Sequence, residues 1–143
     1  MREKDETLER LKDAAPLALS FVGDAVHTLM VRTEAFWENP YKNNELHNSS
    51  SAECCAAAQA EAAKRLLPLL DEEETFIFKK AKNAKVHSVP KNASLYEYKE
   101  ATAFEAVIGF LYLGGRRERL DFLMKEIYAK QETKTKKTDN QTD

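Results

Sequence analysis

The chain has 143 residues and a mass of 16.3 kDa, a size that suits one domain with its own hydrophobic core. Its formal net charge is −2, so any signal for nucleic-acid binding must be local rather than a general basic surplus. The adjacent cysteines Cys54 and Cys55 exclude a disulfide framework and a zinc spacing. The first residues are charged, and no run approaches the roughly 18 apolar residues of a membrane span. We therefore expect a cytoplasmic protein without a membrane partner.

The sequence predicts an all-α fold, because apolar residues recur at helical spacing and no segment alternates with period two. Residues 1–13 form a charged lead-in with weak helical character. A long helix is predicted over Leu17–Trp37, since Pro16 suits a first helical turn and Pro40 disfavours helix in the residue before it. Apolar residues occur on nearly every face of this segment, which predicts a central, buried helix.

The second half of the chain continues the helical pattern. Acidic residues begin and basic residues end the helix that starts at Asp71, as the helix macrodipole favours. The last residues are polar and lack an apolar anchor, so we assign residues 1–130 to one domain and 131–143 to a disordered tail. The other predicted elements are an alanine-rich helical region over Ala52–Leu70 broken near Pro68, a loop over Val86–Tyr96, a second buried helix over Glu97–Leu113 and an amphipathic helix over Arg116–Lys130.

Two carboxylates lie within the two most apolar helices, Asp24 directly after Gly23 and Glu105 between Phe104 and Ala106. An isolated ionised carboxylate in apolar surroundings costs on the order of tens of kcal/mol, so it pairs, protonates or binds a cation. If the helices pack side by side, two close acids repel unless a divalent cation or a shared proton stabilises them. Mg²⁺ prefers such hard oxygen ligands. The alternative is that each acid pairs with a lysine or arginine where helices cross.

A local basic segment lies between the helix that starts at Asp71 and the helix that carries Glu105. Such a segment binds phosphates with strong salt dependence, although lysine-rich helix ends are also ordinary solvated surface. No aromatic motif for stacking single-stranded bases is present, which favours recognition of duplex shape. The candidate RNA-binding residues are Lys79, Lys80, Lys82, Asn83, Lys85, His87, Lys91 and Asn92.

His27 lies one turn after Asp24, which makes it a candidate for orienting that carboxylate. The alternative, for His27 as for His47 and His87, is a packed or surface histidine. No histidine has ligand spacing with a cysteine or with another histidine, and no Ser/His/Asp triad or Cys/His pair is evident.

Two blocks of sequence resemble the acidic helices of the ribonuclease III catalytic domain, Phe21-Val-Gly-Asp-Ala-Val and Ala103-Phe-Glu-Ala-Val-Ile-Gly. The fuller pattern is similar to that of the mini-ribonuclease III family, the short form without a separate double-stranded RNA-binding domain. The resemblance covers roughly residues 10–130 in order. Its blocks are Leu17–Ala25, Lys82-Asn-Ala-Lys, Pro90-Lys-Asn and Tyr98-Lys-Glu-Ala-Thr-Ala-Phe-Glu-Ala.

The resemblance implies the ribonuclease III fold, an all-α domain that works as a homodimer. It also implies an endoribonuclease that cleaves double-stranded RNA with Mg²⁺, for which Mn²⁺ substitutes. By position, Asp24 and Glu105 match the catalytic, metal-binding carboxylates of the family. The implied substrate is the stem of the 23S ribosomal RNA precursor, with a ribosomal protein as an assisting partner.

The sequence also departs from full-length ribonuclease III, which has further carboxylates at the positions of Leu17, Ser20 and Thr102. The short form shares such substitutions, so they support membership while leaving the number of metal ions open. Two other hypotheses stay open, of which the first is motivated by the missing carboxylates at Leu17 and Ser20. One is a catalytically silent module of the same fold that binds structured RNA. The other is an all-α interaction protein in which both acids are structural.

Overall fold

The computed structural model describes residues 4–41 and 43–139, and within these the chain forms seven α-helices and one short 3₁₀ helix without a β-strand. The all-α prediction is therefore confirmed for the part of the chain described. The helices are α1 (Lys4–Asp13), α2 (Pro16–Glu38), α3 (Asn43–Glu53), α4 (Ala56–Leu66), α5 (Glu72–Lys82), α6 (Leu95–Leu113) and α7 (Arg117–Asp139), with the 3₁₀ helix at Leu67–Leu69.

Helix α6 is the centre of the domain, because it packs against α2, α4, α5 and α7. Every residue from Glu100 to Leu111 is buried except Glu105, which keeps part of its surface in solvent. A helix in this position needs apolar residues on all faces, as its sequence predicts. Its N-terminus is fixed by a capping box in which Ser94 and Glu97 each accept from the other's backbone N–H.

Helix α2 has the predicted length but not the predicted surroundings. The sequence predicts a helix buried nearly all round, whereas several large apolar side chains of α2 lie in solvent. Phe21 is 80% exposed, Leu29 is 64% exposed and Trp37 is 73% exposed. The prediction is wrong because apolar residues on every face do not distinguish burial within one chain from an apolar surface open to a partner. The buried residues of α2 are Leu19, Gly23, Val26, His27 and Ala35.

The alanine-rich region is divided rather than continuous. The free cysteines Cys54 and Cys55 separate α3 from α4. The Sγ of Cys54 lies 3.7 Å from the Oγ1 of Thr28, so this break lies beside α2. Helix α4 then packs on α6, where its buried alanines let the two backbones approach closely. The predicted break near Pro68 is present as the 3₁₀ helix.

A buried ion pair joins α5 to α7. The carboxylate of Glu74 is fully buried and accepts from Arg119 twice, from Nε at 3.0 Å and from Nη2 at 2.8 Å. Glu74 also forms a capping box with Asp71, which confirms the acidic helix start predicted from the sequence. Because its oxygens are paired within the fold, Glu74 is a structural carboxylate.

The C-terminal helix is longer than the sequence predicts. The sequence ends the last helix at Lys130 and predicts a disordered tail over 131–143, whereas α7 continues to Asp139. Residues 140–143 lie outside the described part of the chain. The domain boundary at residue 130 stays a prediction.

Within residues 4–41 and 43–139, no single helix is both long and apolar enough to cross a membrane. The segments Glu6–Asp13 and Pro16–Glu38, bent by 105° from each other, pass that test only as a pair and only by length and composition.

Candidate active site

Two glycines bring α2 and α6 into direct backbone contact. A methyl group at Gly23 would overlap the carbonyl oxygen of Glu105, and one at Gly109 would overlap the carbonyl oxygen of Leu19. The glycines therefore allow a closer helix crossing than any larger residue would. Because Asp24 directly follows Gly23, this crossing brings the two carboxylates singled out from the sequence to the same place in the fold.

Glu105 is half-buried at this crossing and feels the charge of Asp24. Its pKa is raised from its ordinary value of 4.5 to about 8, chiefly because burial disfavours the ionised form and secondly because of repulsion from Asp24. Hydrogen bonds from the Gln59 amide and the Ser20 hydroxyl act in the opposite direction, because they favour the carboxylate. The site therefore combines two acids whose charges oppose each other, an arrangement that a cation stabilises.

Asp24 itself is exposed, which corrects the expectation of an aspartate trapped in apolar surroundings. The buried position is Gly23, one residue earlier. The unfavourable charge is instead that of Glu105, whose neighbours along α6 are buried on both sides. An exposed acid beside a half-buried one leaves the pair accessible from solvent.

A buried polar network lies behind this pair. His27 is fully buried, with its Nε2 at 2.7 Å from the hydroxyl of Tyr128 and its Nδ1 at 3.4 Å from the amide nitrogen of Gln59. The ring of Phe104 packs edge-on against the imidazole, with ring centroids 5.0 Å apart. Burial lowers the pKa of His27 to about 4, so the ring is neutral at physiological pH. The two ring nitrogens thus pair with Tyr128 and Gln59 rather than with Asp24.

The three uncharged positions named above have separate environments. Ser20 donates to the Glu105 carboxylate, Thr102 donates to the carbonyl oxygen of Tyr98 at 2.8 Å, and Leu17 is 44% exposed. The described residues contain no group of three or more His, Cys, Asp or Glu side chains that could hold a metal ion. A cation at this site would therefore have two carboxylates from one chain, and water or substrate oxygens as its other ligands.

The predicted RNA-binding residues fall into two groups. Lys80 and Lys82 are used within the fold, since Lys80 donates to the carbonyl oxygen of Lys12 at 2.7 Å and Lys82 lies 2.8 Å from the carboxylate of buried Glu100. Removing a lysine from a buried carboxylate is unfavourable, so Lys82 is held by the fold. The exposed residues are Lys79, Asn83, Lys85, His87, Lys91 and Asn92.

Part of the exposed group lines a groove between the end of α5 and the start of α6. Lys85 and His87 line it together with Lys99, a residue of α6 that was not among the predicted RNA-binding residues. The inner part of the groove, about 80 Å³, reaches Thr102, which lies almost one turn before Glu105. The groove and the carboxylate pair therefore share helix α6.

Sequence motifs did not indicate the polar residues that support Glu105. Gln59 gives one signal in retrospect, because it is an amide within an alanine-rich helix, where a buried polar group needs a partner. Ser20 is conspicuous only as an uncharged residue where the larger family has an acid. Tyr128 gives no local signal, because its partner His27 is distant along the chain.

The fold and the site together define a class of protein, since an all-α domain with paired acids beside a basic groove suits metal-assisted phosphodiester chemistry. A family model described as the Ribonuclease III domain matches residues 17–116, which include both acids and the basic segment. Relatives named Mini-ribonuclease 3 align over most of the chain. The chain therefore belongs to the ribonuclease III family, in its mini-ribonuclease III branch.

The similarity extends along nearly the whole of these relatives. A Mini-ribonuclease 3 of Brevibacillus brevis is 39% identical over 127 residues, which cover 89% of this chain and 95% of the relative. One of a Thermoanaerobacter species is 41% identical over 114 residues, which cover 80% of each chain. The crystal structure of protein FN1578 from Fusobacterium nucleatum superposes with a TM-score of 0.75 at 33% identity, covering 85% of this chain and 98% of that one.

Proposed function

We propose that this protein is a cytoplasmic, homodimeric, Mg²⁺-dependent endoribonuclease that cleaves double-stranded RNA. Its proposed substrate is the stem of the 23S ribosomal RNA precursor, with a ribosomal protein as an assisting partner and Mn²⁺ as a substitute metal. The observation that carries the proposal is the pairing of Asp24 and Glu105 at the crossing of α2 and α6. Membership of the ribonuclease III family supports the endoribonuclease activity.

The donor set fits Mg²⁺. Asp24 and Glu105 supply hard oxygen ligands, and a divalent cation between them relieves the repulsion that helps to raise the pKa of Glu105. When bound, Mg²⁺ supplies a polarised water as nucleophile and stabilises the negative charge that develops on the phosphate oxygens. The chain itself holds the two carboxylates and orients Glu105 through the Ser20 hydroxyl and the Gln59 amide.

The exposed lysines provide the proposed grip on the RNA backbone. Lys79 lies at the end of α5, and Lys85 and Lys91 lie in the loop between α5 and α6. In the proposed complex, the duplex lies along this loop and extends along α6 to the carboxylate pair. His87, Asn83 and Asn92 add hydrogen-bonding groups beside the lysines, and binding through phosphates weakens steeply with salt.

The exposed apolar face of α2 supports the homodimer. Leu17, Phe21, Leu29 and Phe36 fall on one side of the helix at 100° per residue, and each is at least 44% exposed. Asp24 lies nearly one turn after Phe21, so a second copy packed on this face stands beside the carboxylate pair. An apolar stripe of this extent is typical of a protein–protein interface.

Light scattering coupled to size exclusion tests the dimer. We expect Phe21→Arg to convert a dimer into a folded monomer, because it places a charge in the apolar stripe. Phe76 of α5 is 50% exposed and lies on a different surface, so Phe76→Arg is a matched control that stays dimeric. A dimeric Phe21→Arg variant would exclude this face as the interface.

Cleavage of a perfect RNA duplex, with Mg²⁺ or with EDTA, tests the activity. We expect discrete, Mg²⁺-dependent products from the wild type and none from Asp24→Asn or Glu105→Gln, because each variant loses a carboxylate ligand while the lysines remain. Asp121→Asn is the control, since Asp121 is an exposed carboxylate on α7. Unchanged cleavage by Asp24→Asn would remove that residue from the mechanism.

A catalytically silent RNA-binding module is the second candidate function. This function is favoured by the small number of metal ligands. Because Leu17, Ser20 and Thr102 are uncharged, the described site has only two carboxylates, Asp24 and Glu105. Such a module would bind the duplex equally well in Mg²⁺ and in EDTA and would release no products. The same incubation therefore separates the two functions.

A further inference from the structure

Gln59 of α4 is buried where α4 approaches both α2 and α6, with 2% of its surface exposed. A polar side chain at that depth is unfavourable unless its hydrogen bonds are made. Its amide nitrogen has two acceptors, the carboxylate of Glu105 and the Nδ1 of His27, which lies 3.4 Å away. Since an amide nitrogen has two hydrogens, Gln59 has one donor for each acceptor.

This arrangement determines which nitrogen of His27 is protonated. An amide nitrogen only donates, so Nδ1 of His27 accepts and the ring proton is on Nε2. That nitrogen lies 2.7 Å from the hydroxyl of Tyr128, which accepts its hydrogen bond. The edge-on ring of Phe104 holds the imidazole in place. The chain of contacts therefore passes from α7 through α2 and α4 to Glu105 on α6.

We infer that Gln59 is a positioning residue for Glu105, and that it is itself fixed by His27 and Tyr128. The inference rests on the proposed metal-dependent function. One hydrogen bond from the amide restricts the rotation of the half-buried Glu105 carboxylate and leaves the remaining lone pairs to a cation. Groups that hydrogen-bond to metal ligands change metal affinity or activity by about 10- to 100-fold when they are removed.

The variant Gln59→Leu tests this role, because leucine has a similar volume and no donor. Mn²⁺ binding is measured directly by electron paramagnetic resonance, and duplex cleavage is measured as a function of Mg²⁺. We expect metal binding about 10- to 100-fold weaker and a lower kcat. The KM for RNA should stay the same, since the lysines are unchanged.

Arg65→Met is a matched control on the same helix. The Nε of Arg65 donates to the carbonyl oxygen of Ile127 at 3.0 Å, so this variant also loses a hydrogen bond between α4 and α7. We expect a lower melting temperature without a change in Mn²⁺ affinity. If Gln59→Leu shows only this pattern, Gln59 is structural and the inference is overturned.

Tyr128→Phe tests the far end of the network and decides the question if Gln59→Leu fails to fold. It should weaken Mn²⁺ binding less than Gln59→Leu does. The double variant should bind no more weakly than Gln59→Leu alone, because Tyr128 acts through Gln59. Unchanged Mn²⁺ affinity and kcat in a folded Tyr128→Phe protein would overturn the inference.

The wild-type measurements separate this inference from the proposed function. A wild type that binds Mn²⁺ without cleaving the duplex refutes the activity, while the comparison of Mn²⁺ affinities still decides the role of Gln59. A wild type that binds no Mn²⁺ refutes both. A wild type that cleaves, with Gln59→Leu equal to it in metal affinity and kcat, refutes the inference alone.

Discussion

The environment of Glu105 makes the stability of the metal-free protein depend on pH. Its pKa is about 8 in the folded chain against an ordinary 4.5, so between these values the folded protein holds a proton that the unfolded chain has lost. The stability from that proton is complete below about pH 4.5 and is lost as the pH rises towards 8. His27 acts with the opposite sign, because its pKa falls from 6.5 to about 4 and stability therefore rises with pH up to about 6.5.

Above about pH 6.5, His27 is neutral in both the folded and the unfolded chain, so of these two groups only Glu105 still makes the stability depend on pH. A difference of one bound proton changes the free energy of unfolding by about 1.4 kcal/mol per pH unit, so the window from about pH 6.5 to 8 contains about 2 kcal/mol. In EDTA, we expect the free energy of unfolding of the wild type to fall by about 2 kcal/mol more than that of Glu105→Gln across this pH window. The glutamine keeps the shape of the side chain but does not titrate. Urea unfolding at several pH values in the window measures this difference.

Two further measurements test why the free energy of unfolding falls with pH. Saturating Mg²⁺ should abolish the loss in the wild type, because a cation stabilises the ionised Glu105. Asp24→Asn should reduce the loss, since repulsion from Asp24 is the second cause of the raised pKa after burial. Equal slopes in the wild type and in Glu105→Gln would refute the reasoning, because the titrating group would then be elsewhere.

Three other predictions concern the fold and the RNA-binding groove. Gly23→Ala should destabilise the protein by about 1–3 kcal/mol or more in urea unfolding, because the methyl group overlaps the backbone carbonyl oxygen of Glu105; wild-type stability would contradict the tight crossing. Arg119→Met should cost about 3–5 kcal/mol by the same measurement, because Glu74 stays buried without its partner, and a loss below about 1 kcal/mol would show that the pair is dispensable. Lys85→Ala should lower duplex affinity and reduce the slope of log affinity against log salt by about one, whereas an unchanged slope in filter binding would exclude a phosphate contact.

Local sequence patterns predicted most helix boundaries, because prolines and capping residues act on the backbone within a few residues of themselves. Pro16 begins α2 and the acidic run at Asp71 begins α5, as predicted, whereas α6 begins at Leu95 after the Ser94 cap, two residues before the predicted Glu97. The apolar pattern predicted the burial of α6 correctly, but the same pattern in α2 belongs to a helix with an exposed apolar face. The division of the alanine-rich region at Cys54 and Cys55, beside Thr28 of α2, was not predicted.

The candidate site was predicted less completely, because its geometry depends on residues distant along the chain. The motifs indicated that Asp24 and Glu105 form a pair, but both acids were expected in apolar surroundings, whereas Asp24 is exposed and Glu105 is half-buried. The ion pair of Lys82 with Glu100 could not be predicted, because Glu100 lies on another helix; the RNA contact of Lys82 stays a prediction. Single lysines in a basic run look alike in sequence, and tertiary ion pairs distinguish them.

The exposure of Asp24 and the exposed apolar face of α2 have a common explanation in the proposed dimer. A second copy packed on Phe21 and Leu29 would remove water from the side of α2 that adjoins Asp24. Charges interact more strongly where water is excluded, so the repulsion between Asp24 and Glu105 would increase on assembly. A cation that neutralises both acids would then favour the assembled state, and assembly would in turn favour metal binding, because the two equilibria are thermodynamically linked. In the proposed dimer, the exposed apolar face of α2 is therefore half of an interface whose formation and metal binding favour each other.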